Sequence, residues 1–179
     1  MKEYVTSDLH FGHKNIIKYE NRPFDSVENM DKSIIENWNK TVNDDDLVYI
    51  LGDFSWYKGE ETNKILNQLK GKKILIIGNH DKNFLKDNNF DKTLFEEITN
   101  YKEIKYNKTK IIMFHYPIID WNGKYQGSFL LYGHVHSIVN EDTKYMEKLE
   151  EKYNCLNVGI DVHKRLLSLE EILCKKKDI

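Results

Sequence analysis

The sequence has 179 residues, of which 40% are hydrophobic and 31% are charged, with a formal net charge of -2 at pH 7. This length favours a single domain over residues 1–179, and no apolar run approaches the roughly 20 residues that a membrane helix needs. The charge argues against a broadly basic surface for nucleic acid, although bound metal ions could supply positive charge locally for such a substrate.

The cellular location is predicted from the chain's start and its cysteines. The first predicted strand begins at Glu3, which leaves no room for a cleaved signal peptide. Cys155 and Cys174 form neither a CxxC pair nor a disulfide framework. The sequence therefore predicts a cytoplasmic protein with reduced thiols and no membrane contact. No pattern in it indicates an oligomeric state.

The first half of the chain predicts alternating strands and helices. A strand at residues 3–6 precedes an amphipathic helix at 26–42, where apolar residues recur at helical spacing. The continuous apolar run at 47–51 predicts a strand buried on both faces. A helix at 60–70 and a buried strand at 73–77 follow. This alternation is typical of a parallel sheet with crossover helices.

The second half predicts an antiparallel hairpin and shorter strands, at 104–106 with 110–114, at 129–132 and at 156–160. A last helix begins after Ser168, which can form a capping box with Glu171, and Leu167 with Ile172 can form a hydrophobic staple. Two packed sheets with helices on the outside are therefore the predicted architecture.

Residues that can bind metals follow the apolar runs in five places. The segments are Asp8-Leu9-His10, Gly52-Asp53, Gly78-Asn79-His80-Asp81, His115 and Gly133-His134-Val135-His136, and they hold five of the seven histidines. Because ligands of α/β sheets gather at the carboxyl ends of strands, the chain order predicts one convergent site. Imidazole and carboxylate groups collected in this way can build a cluster for two metal ions.

This ordered set of motifs resembles that of the calcineurin-like metallophosphoesterase superfamily. The match runs from Asp8 to His136, and Asn157-Val158-Gly159 also fits the end of the family pattern. The resemblance implies an α/β fold, a four-layer sandwich of two central mixed β-sheets flanked by helices. The chain has no large insertion for a cap domain, so the resemblance is to a small member of the bacterial or phage type.

The resemblance also implies the metal ligands. The first ion would be held by Asp8, His10, Asp53 and His136, and the second by Asp53, Asn79, His115 and His134, with Asp53 bridging the two. Nitrogen and oxygen ligands without thiolate admit manganese, iron, zinc or nickel as the divalent ion. Taken alone, His115 could instead be a buried histidine bonded to the backbone.

The implied activity is hydrolysis of phosphomonoesters or phosphodiesters by direct attack of a metal-bridging hydroxide. His80 would assist the leaving group, and Asp81 would orient His80. Arg22 could bind phosphate or form an ordinary salt bridge, and His13 could touch phosphate or be a solvated loop residue. Asp161 could support the site or serve as a cap or surface residue.

The expected substrate is a small phosphoester or a nucleotide. Six aromatic residues that flank the motifs could stack on a base or an aryl group, or pack at the margin of the core: Phe11, Trp56, Tyr57, Tyr116, Trp121 and Tyr125. A scaffold that keeps the metal site with little catalytic activity is the alternative function, and it predicts a missing ligand or the loss of His80. A mononuclear iron oxygenase is a third hypothesis, which leaves half of the ligand set unexplained.

Overall fold

The computed structural model describes residues 1–175, and nine β-strands form its framework. The strands are β1 (Glu3–Thr6), β2 (Leu47–Ile50), β3 (Lys72–Ile76), β4 (Glu97–Thr99), β5 (Tyr101–Tyr106), β6 (Thr109–Phe114), β7 (Phe129–Tyr132), β8 (Cys155–Asn157) and β9 (Leu167–Ser168). The helices of this part are α1 (Ile16–Tyr19), α2 (Val27–Thr41), α3 (Gly59–Leu66), α4 (Lys82–Leu85), α5 (Glu141–Lys152), α6 (Ile160–His163) and α7 (Leu169–Lys175).

The strands form two mixed sheets. The first has the order β4-β3-β2-β1-β9, in which β1 to β4 are parallel and β9 is antiparallel to β1. The second has the order β5-β6-β7-β8, in which β5 and β6 are antiparallel and the other pairs are parallel. The predicted pair of mixed sheets is therefore confirmed.

Alternate residues of the first sheet pack in opposite directions. Val5 and Tyr49 lie in a core cluster with residues of the second sheet, such as Met113. Their neighbours Tyr4 and Val48 lie in a different cluster, on the side of α2 and α3. Because successive side chains of a strand point to opposite faces, each sheet buries both of its faces. With α5 packed on the outer face of the second sheet, the layers are helix, sheet, sheet and helix, as predicted.

Helix α2 shows why the first layer forms. Ser26 caps it by accepting a hydrogen bond from the Asn29 amide at 3.2 Å. Met30, Ile34 and Trp38 recur on one face and are buried against the sheet. Burying a large apolar side chain contributes about 1.5–3 kcal/mol, so this stripe favours packing of the helix against the sheet.

The strand predicted over 104–106 is β5, which starts three residues earlier at Tyr101, and two predicted element ends are wrong by more than one residue. The helix predicted over 60–70 is α3 and ends at Leu66, since the chain leaves the helix at Asn67 and turns through Gly71, whose φ is 79°. The strand predicted over 156–160 ends at Asn157. The Asn157 Oδ1 accepts a hydrogen bond from the Gly159 amide at 2.8 Å, which turns the backbone and starts α6 at Ile160.

Helix α5 was not predicted. Its Asn140 and Thr143 form a reciprocal capping box, but only Thr143 and Met146 are buried, so the apolar periodicity is weak. None of the helices in the described part of the chain combines the length and the apolar surface needed to cross a membrane.

Candidate metal centre

The structure brings the seven predicted metal ligands to the carboxyl ends of the central strands. Asp8 follows β1, Asp53 follows β2 and Asn79 follows β3 in the first sheet. The histidines follow strands or their loops: His10 after β1, His115 after β6, and His134 with His136 after β7. Parallel strands end on the same edge, so ligands far apart in sequence converge there.

The ligand atoms fall into two groups. Asp8, His10 and His136 form one, and Asp53, His115 and His134 form the other, and within each group the candidate atoms lie no more than 4.8 Å apart. A metal ion bound by nitrogen and oxygen at roughly 2.0–2.2 Å fits between atoms at such separations. Each group therefore has the composition and spacing of a site for one cation.

Asp53 lies between the two groups and is almost fully buried. Its Oδ2 is 3.6 Å from His10 Nε2, and its Oδ1 is 3.6 Å from His115 Nε2. One carboxylate oxygen thus faces each group. A carboxylate in this position can bridge two cations and offset their repulsion.

Two imidazole nitrogens have surroundings that suit a cation. His10 Nε2 is buried without a hydrogen-bond partner in the described residues. His115 Nδ1 donates a hydrogen bond to the Leu51 carbonyl at 2.8 Å, so the ring lone pair is on Nε2. This Nε2 lies 2.9 Å from Asn79 Oδ1. A lone pair and an amide oxygen side by side are both acceptors, and a bound cation would satisfy them together.

Burial keeps two histidines of the site in the form that binds metals. Desolvation lowers the pKa of His10 well below its usual value, and it also lowers the pKa of His134. Both rings are therefore neutral near pH 7, as a metal ligand must be. Burial raises the pKa of the Asp8 carboxyl, against the hydrogen bond from Ser7 Oγ at 2.6 Å. A cation beside Asp8 would remove the electrostatic cost of its charge.

Five of the ligand residues have a left-handed backbone. The φ angles are 59° at Asp8, 54° at His10, 52° at Asp53, 74° at His134 and 38° at His136. This region is uncommon for residues with a Cβ, and such strain concentrates at functional sites. The surrounding sheet holds the ligand residues in conformations that a free chain rarely adopts.

Two glycines allow the close approach of the ligand loops. A Cβ at Gly52 would lie 2.5 Å from His115 Nδ1, and one at Gly133 would lie 2.6 Å from Asp8 Oδ2. Any side chain at either position would push a ligand away from the site. The glycines beside the ligand motifs therefore have a packing function.

Arg22 forms a salt bridge, which was one of its two predicted alternatives. It is buried, and its Nε and Nη2 each donate to the Asp161 carboxylate at 2.8 Å. Its remaining N–H groups donate to the carbonyls of Asp8 and Leu9 and to the sulfur of Met30. With all five N–H groups used, Arg22 has none for a phosphate, which contradicts that alternative. Its function here is to brace the first ligand loop.

Asp161 supports the site, as one of its predicted alternatives stated. Its Oδ2 accepts a hydrogen bond from His136 Nδ1 at 3.0 Å. Burial opposes its charge, but the bonds from His136 and Arg22 outweigh this effect and lower the pKa of Asp161. Glu20 also lies near His136 and Asp161, but it accepts hydrogen bonds from the amide and hydroxyl of Ser137.

The Asp81 carboxylate forms no hydrogen bond with the ring of His80, so its predicted orienting role is wrong. The buried Asp81 carboxylate accepts from the amides of Asp53, Phe54 and Gly78, at 3.0, 2.8 and 2.7 Å. It thus joins the loops after β2 and β3. Burial, with the charge of Asp53, raises the pKa of Asp81 to about 7, against the hydrogen bonds from the Gly78 and Phe54 amides, which stabilise the charged form.

His80 and His13 lie at the open side of the centre. The His80 side chain is 38% exposed, its Nε2 is 4.0 Å from Asp53 Oδ2, and its amide donates to Asp53 Oδ1 at 3.0 Å. The His13 ring stacks on Trp56, with centroids 3.9 Å apart, and its Nδ1 is 3.3 Å from His10 Nδ1. Both rings lie beside the ring of the predicted ligand His10, with centroids 5.2 Å away for His13 and 5.7 Å away for His80. Burial lowers the pKa of His13.

The six flanking aromatic residues differ in burial and in their distance from the predicted metal centre. Phe11 and Trp121 are buried in the core, and Tyr57 donates a hydrogen bond to Asp31. Trp56 and Tyr116 are each 37% exposed, and their rings lie beside His80 and His134 at 4.4 and 4.7 Å. Trp56 thus lies on the side of His80, and Tyr116 lies on the side of the ligand His134. Tyr125, 75% exposed, contacts Tyr153 and Lys124.

Sequence reasoning missed three residues that position the ligands. Ser7 donates to Asp8, Glu20 accepts from Ser137 next to His136, and Asp31 accepts from the Gly12 amide in the loop that follows His10. Ser7 could have been found from its place directly before a ligand at a strand end. The other two depend on contacts between distant segments and have no local signal.

Comparison with known proteins agrees with this geometry. The family model for calcineurin-like phosphoesterases matches residues 1–169. An uncharacterized protein of Methanocaldococcus jannaschii is 36% identical, and the alignment covers 90% of this chain and 82% of that protein. The gene 66 protein of Mycobacterium phage L5 is 28% identical, and the alignment covers 94% of this chain and 91% of that protein. The crystal structure of a protein of unknown function from Aquifex aeolicus has 29% identity and a TM-score of 0.72, and covers 99% of both chains.

Proposed function

The chain belongs to the calcineurin-like phosphoesterase family, and from this premise we propose that it hydrolyses small phosphoesters with two divalent cations. The observation that carries the proposal is the position of Asp53, whose two oxygens each lie 3.6 Å from a histidine of a different ligand group. A site for one ion would not need a carboxylate oxygen of Asp53 directed towards each of the two ligand groups.

In this proposal the first cation binds Asp8, His10, Asp53 and His136, and the second binds Asp53, Asn79, His115 and His134. The orphaned Nε2 of His10 and the paired acceptors of His115 and Asn79 support the assignment. The ligands suit manganese, iron, zinc or nickel. When bound by these residues, such a pair of ions would lower the pKa of water and neutralise phosphoryl oxygens, which would supply a hydroxide for attack on phosphorus without a covalent enzyme intermediate.

His80 is proposed to donate a proton to the leaving oxygen. Its amide is held by Asp53 Oδ1 at 3.0 Å, and its ring is partly open to solvent beside the centre. The ring is therefore close to bound substrate without being needed as a ligand. Asp81 acts on this step only indirectly, because it fixes the loop that carries His80 and Asn79.

The proposed substrate is a small phosphoester or a nucleotide-type compound. The exposed rings of Trp56 and Tyr116 beside the ligands support an aryl or base group next to the phosphate. The net charge of -2 does not favour a long nucleic acid. The cytoplasmic location remains part of the proposal.

The test combines metal analysis with hydrolysis. The protein is stripped with a chelator, reloaded with manganese, iron, nickel or zinc, and assayed on a panel of monoesters, diesters and nucleotides. Asp53→Ala should lose at least one ion per chain and nearly all hydrolysis, whereas Asp44→Ala, at an exposed position, should lose neither. Two ions and full activity in Asp53→Ala would refute the assignment. Two ions with no hydrolysis of any ester by the wild type would favour a binding scaffold.

A further inference from the structure

A large cavity lies outside the metal centre. It has a volume of about 810 Å³, and the Arg22–Asp161 ion pair forms part of its wall. None of the seven proposed metal ligands lines it. The volume is within the range of about 300–1,000 Å³ that small-molecule sites occupy.

The cavity has an apolar floor. Phe24, Ile34, Ile160 and Leu166 contribute to it from three separate segments of the fold. Ile34 and Leu166 are buried in the core cluster, while Phe24 and Ile160 are only partly covered. The floor can therefore accept a flat apolar group without any rearrangement of the core.

Its rim is positive. Lys40 and Lys164 are exposed there and form no ion pair within residues 1–175. The only lining carboxylate is Asp161, which Arg22 neutralises at 2.8 Å. An anionic group at the rim would thus meet two unpaired ammonium groups and no opposing charge.

Polar residues line the same cavity. Asn21, Ser33 and Asn37 are among its lining residues, and their side chains can bond a polar group of a ligand. Asn21 and Lys164 have φ angles of 48° and 58°, but these are the common left-handed ends of α1 and α6 and do not indicate a ligand.

We propose that this cavity is a second ligand site, which binds a small amphipathic anion: a flat apolar body that carries a carboxylate, sulfonate or phosphate group. The apolar body lies on the floor, and the anionic group lies between Lys40 and Lys164. The cavity shares the Arg22–Asp161 ion pair with the support of the metal centre, but binding of an anion here does not require the proposed hydrolysis.

The experiment uses the ¹⁵N-labelled, zinc-loaded full chain and naphthalene-1-sulfonate, which a phosphoesterase cannot hydrolyse. Titration should shift the amides of residues 21, 22, 24, 33–41 and 160–166 in a saturable way, with a Kd of about 1 mM or tighter for a ligand of this size. Neutral naphthalene-1-methanol should bind about tenfold more weakly, because it lacks the charge. Absence of saturable shifts in these segments, or shifts only around the metal ligands, would overturn the proposal.

Variants separate the two features of the site. Lys40→Glu with Lys164→Glu should weaken sulfonate binding by about tenfold or more. Ser33→Phe, which fills the cavity without changing charge, should abolish binding of both probes. Lys144→Glu with Lys148→Glu, an equal charge change on the exposed face of α5, is the control and should bind as wild type. Unchanged sulfonate binding in the first two variants would refute the proposal, and hydrolysis in all three should stay at the wild-type level.

Discussion

His136 Nδ1 donates a hydrogen bond to Asp161 Oδ2 at 3.0 Å. Burial alone would lower the pKa of His136, but the bond to Asp161 and the charge of Asp8 outweigh it and raise that pKa. The bond places the proton on Nδ1 and leaves Nε2 with the lone pair for a metal. Because Arg22 holds the same carboxylate, the orientation of His136 depends on an ion pair outside the ligand set.

Asp161→Asn should weaken one metal site and spare the other. The amide cannot hold both Arg22 and the His136 ring as the carboxylate does, and loss of such a support typically costs ~10–100-fold in metal affinity. Metal titration against a competing chelator should show one weakened ion and one unchanged. Equal weakening of both ions would indicate general structural damage, and no weakening would show that Asp161 does not position His136.

His80→Ala should keep both metals and lose activity in proportion to how poor the leaving group is. General acid catalysis is worth about 10²–10⁴-fold, and a stable phenolate hardly needs the proton. Rates on nitrophenyl esters should therefore fall much less than rates on alkyl or nucleoside esters. Equal losses on both, with metals intact, would point to phosphate positioning instead, and loss of a metal would mean that His80 is a ligand.

Asp81→Asn should destabilise the fold. The amide retains one acceptor oxygen and turns an NH₂ group towards backbone amides that the carboxylate now satisfies. An unsatisfied buried donor costs about 1–3 kcal/mol, so the free energy of unfolding should fall by at least this amount. Urea unfolding measures it, with the exposed Asp44→Asn as the control. A loss no greater than the control's would contradict this account of Asp81.

Asp31 should make stability depend on pH. Burial raises its pKa from 3.8 to about 6, against the hydrogen bonds from the Gly12 amide and the Tyr57 hydroxyl. Between these two pH values the folded state binds more protons than the unfolded state. The stability that the Asp31 carboxyl contributes is therefore fully present below about pH 4 and is lost as the pH rises through about 6. Asp31→Asn removes this titration.

The measurement is the difference in free energy of unfolding between wild type and Asp31→Asn, followed from about pH 4 to about pH 7. The wild type should lose stability relative to the variant as the pH rises. Tyr57→Phe removes the hydrogen bond that favours the charged form of Asp31. In this variant the loss of unfolding free energy should therefore occur at higher pH. A difference that is constant with pH would show that the carboxyl of Asp31 titrates normally.

Trp56→Ala should raise KM for aryl and nucleoside esters while KM for methyl phosphate stays close to wild type. Stacking of a base on an aromatic ring is worth about 1–3 kcal/mol. Tyr125→Ala is the matched control, because that ring is 75% exposed but contacts Tyr153 rather than the ligand groups. The same KM change on every substrate would mean that Trp56 supports His13 or His80 and does not bind the ester group.

The ligand motifs and most of the strands were readable from the sequence because their signals are local. The apolar runs that form β2 and β3 are directly followed by Gly52-Asp53 and Gly78-Asn79, so the sequence indicates where each strand ends. The hairpin of β5 and β6 was also local, since Asn107 and Lys108 take the left-handed φ angles of 46° and 69° that its tight turn requires.

Only the tertiary structure decided which side chain supports which ligand. Arg22 and Asp161 are 139 positions apart, and nothing near either residue indicates that they meet. Asp81 adjoins His80 in sequence, yet its carboxylate turns to the amides of Asp53 and Phe54. Burial leaves a charged or polar group no water to bond, so its partner is whichever donor the packed sheets bring to it, and that depends on the whole fold.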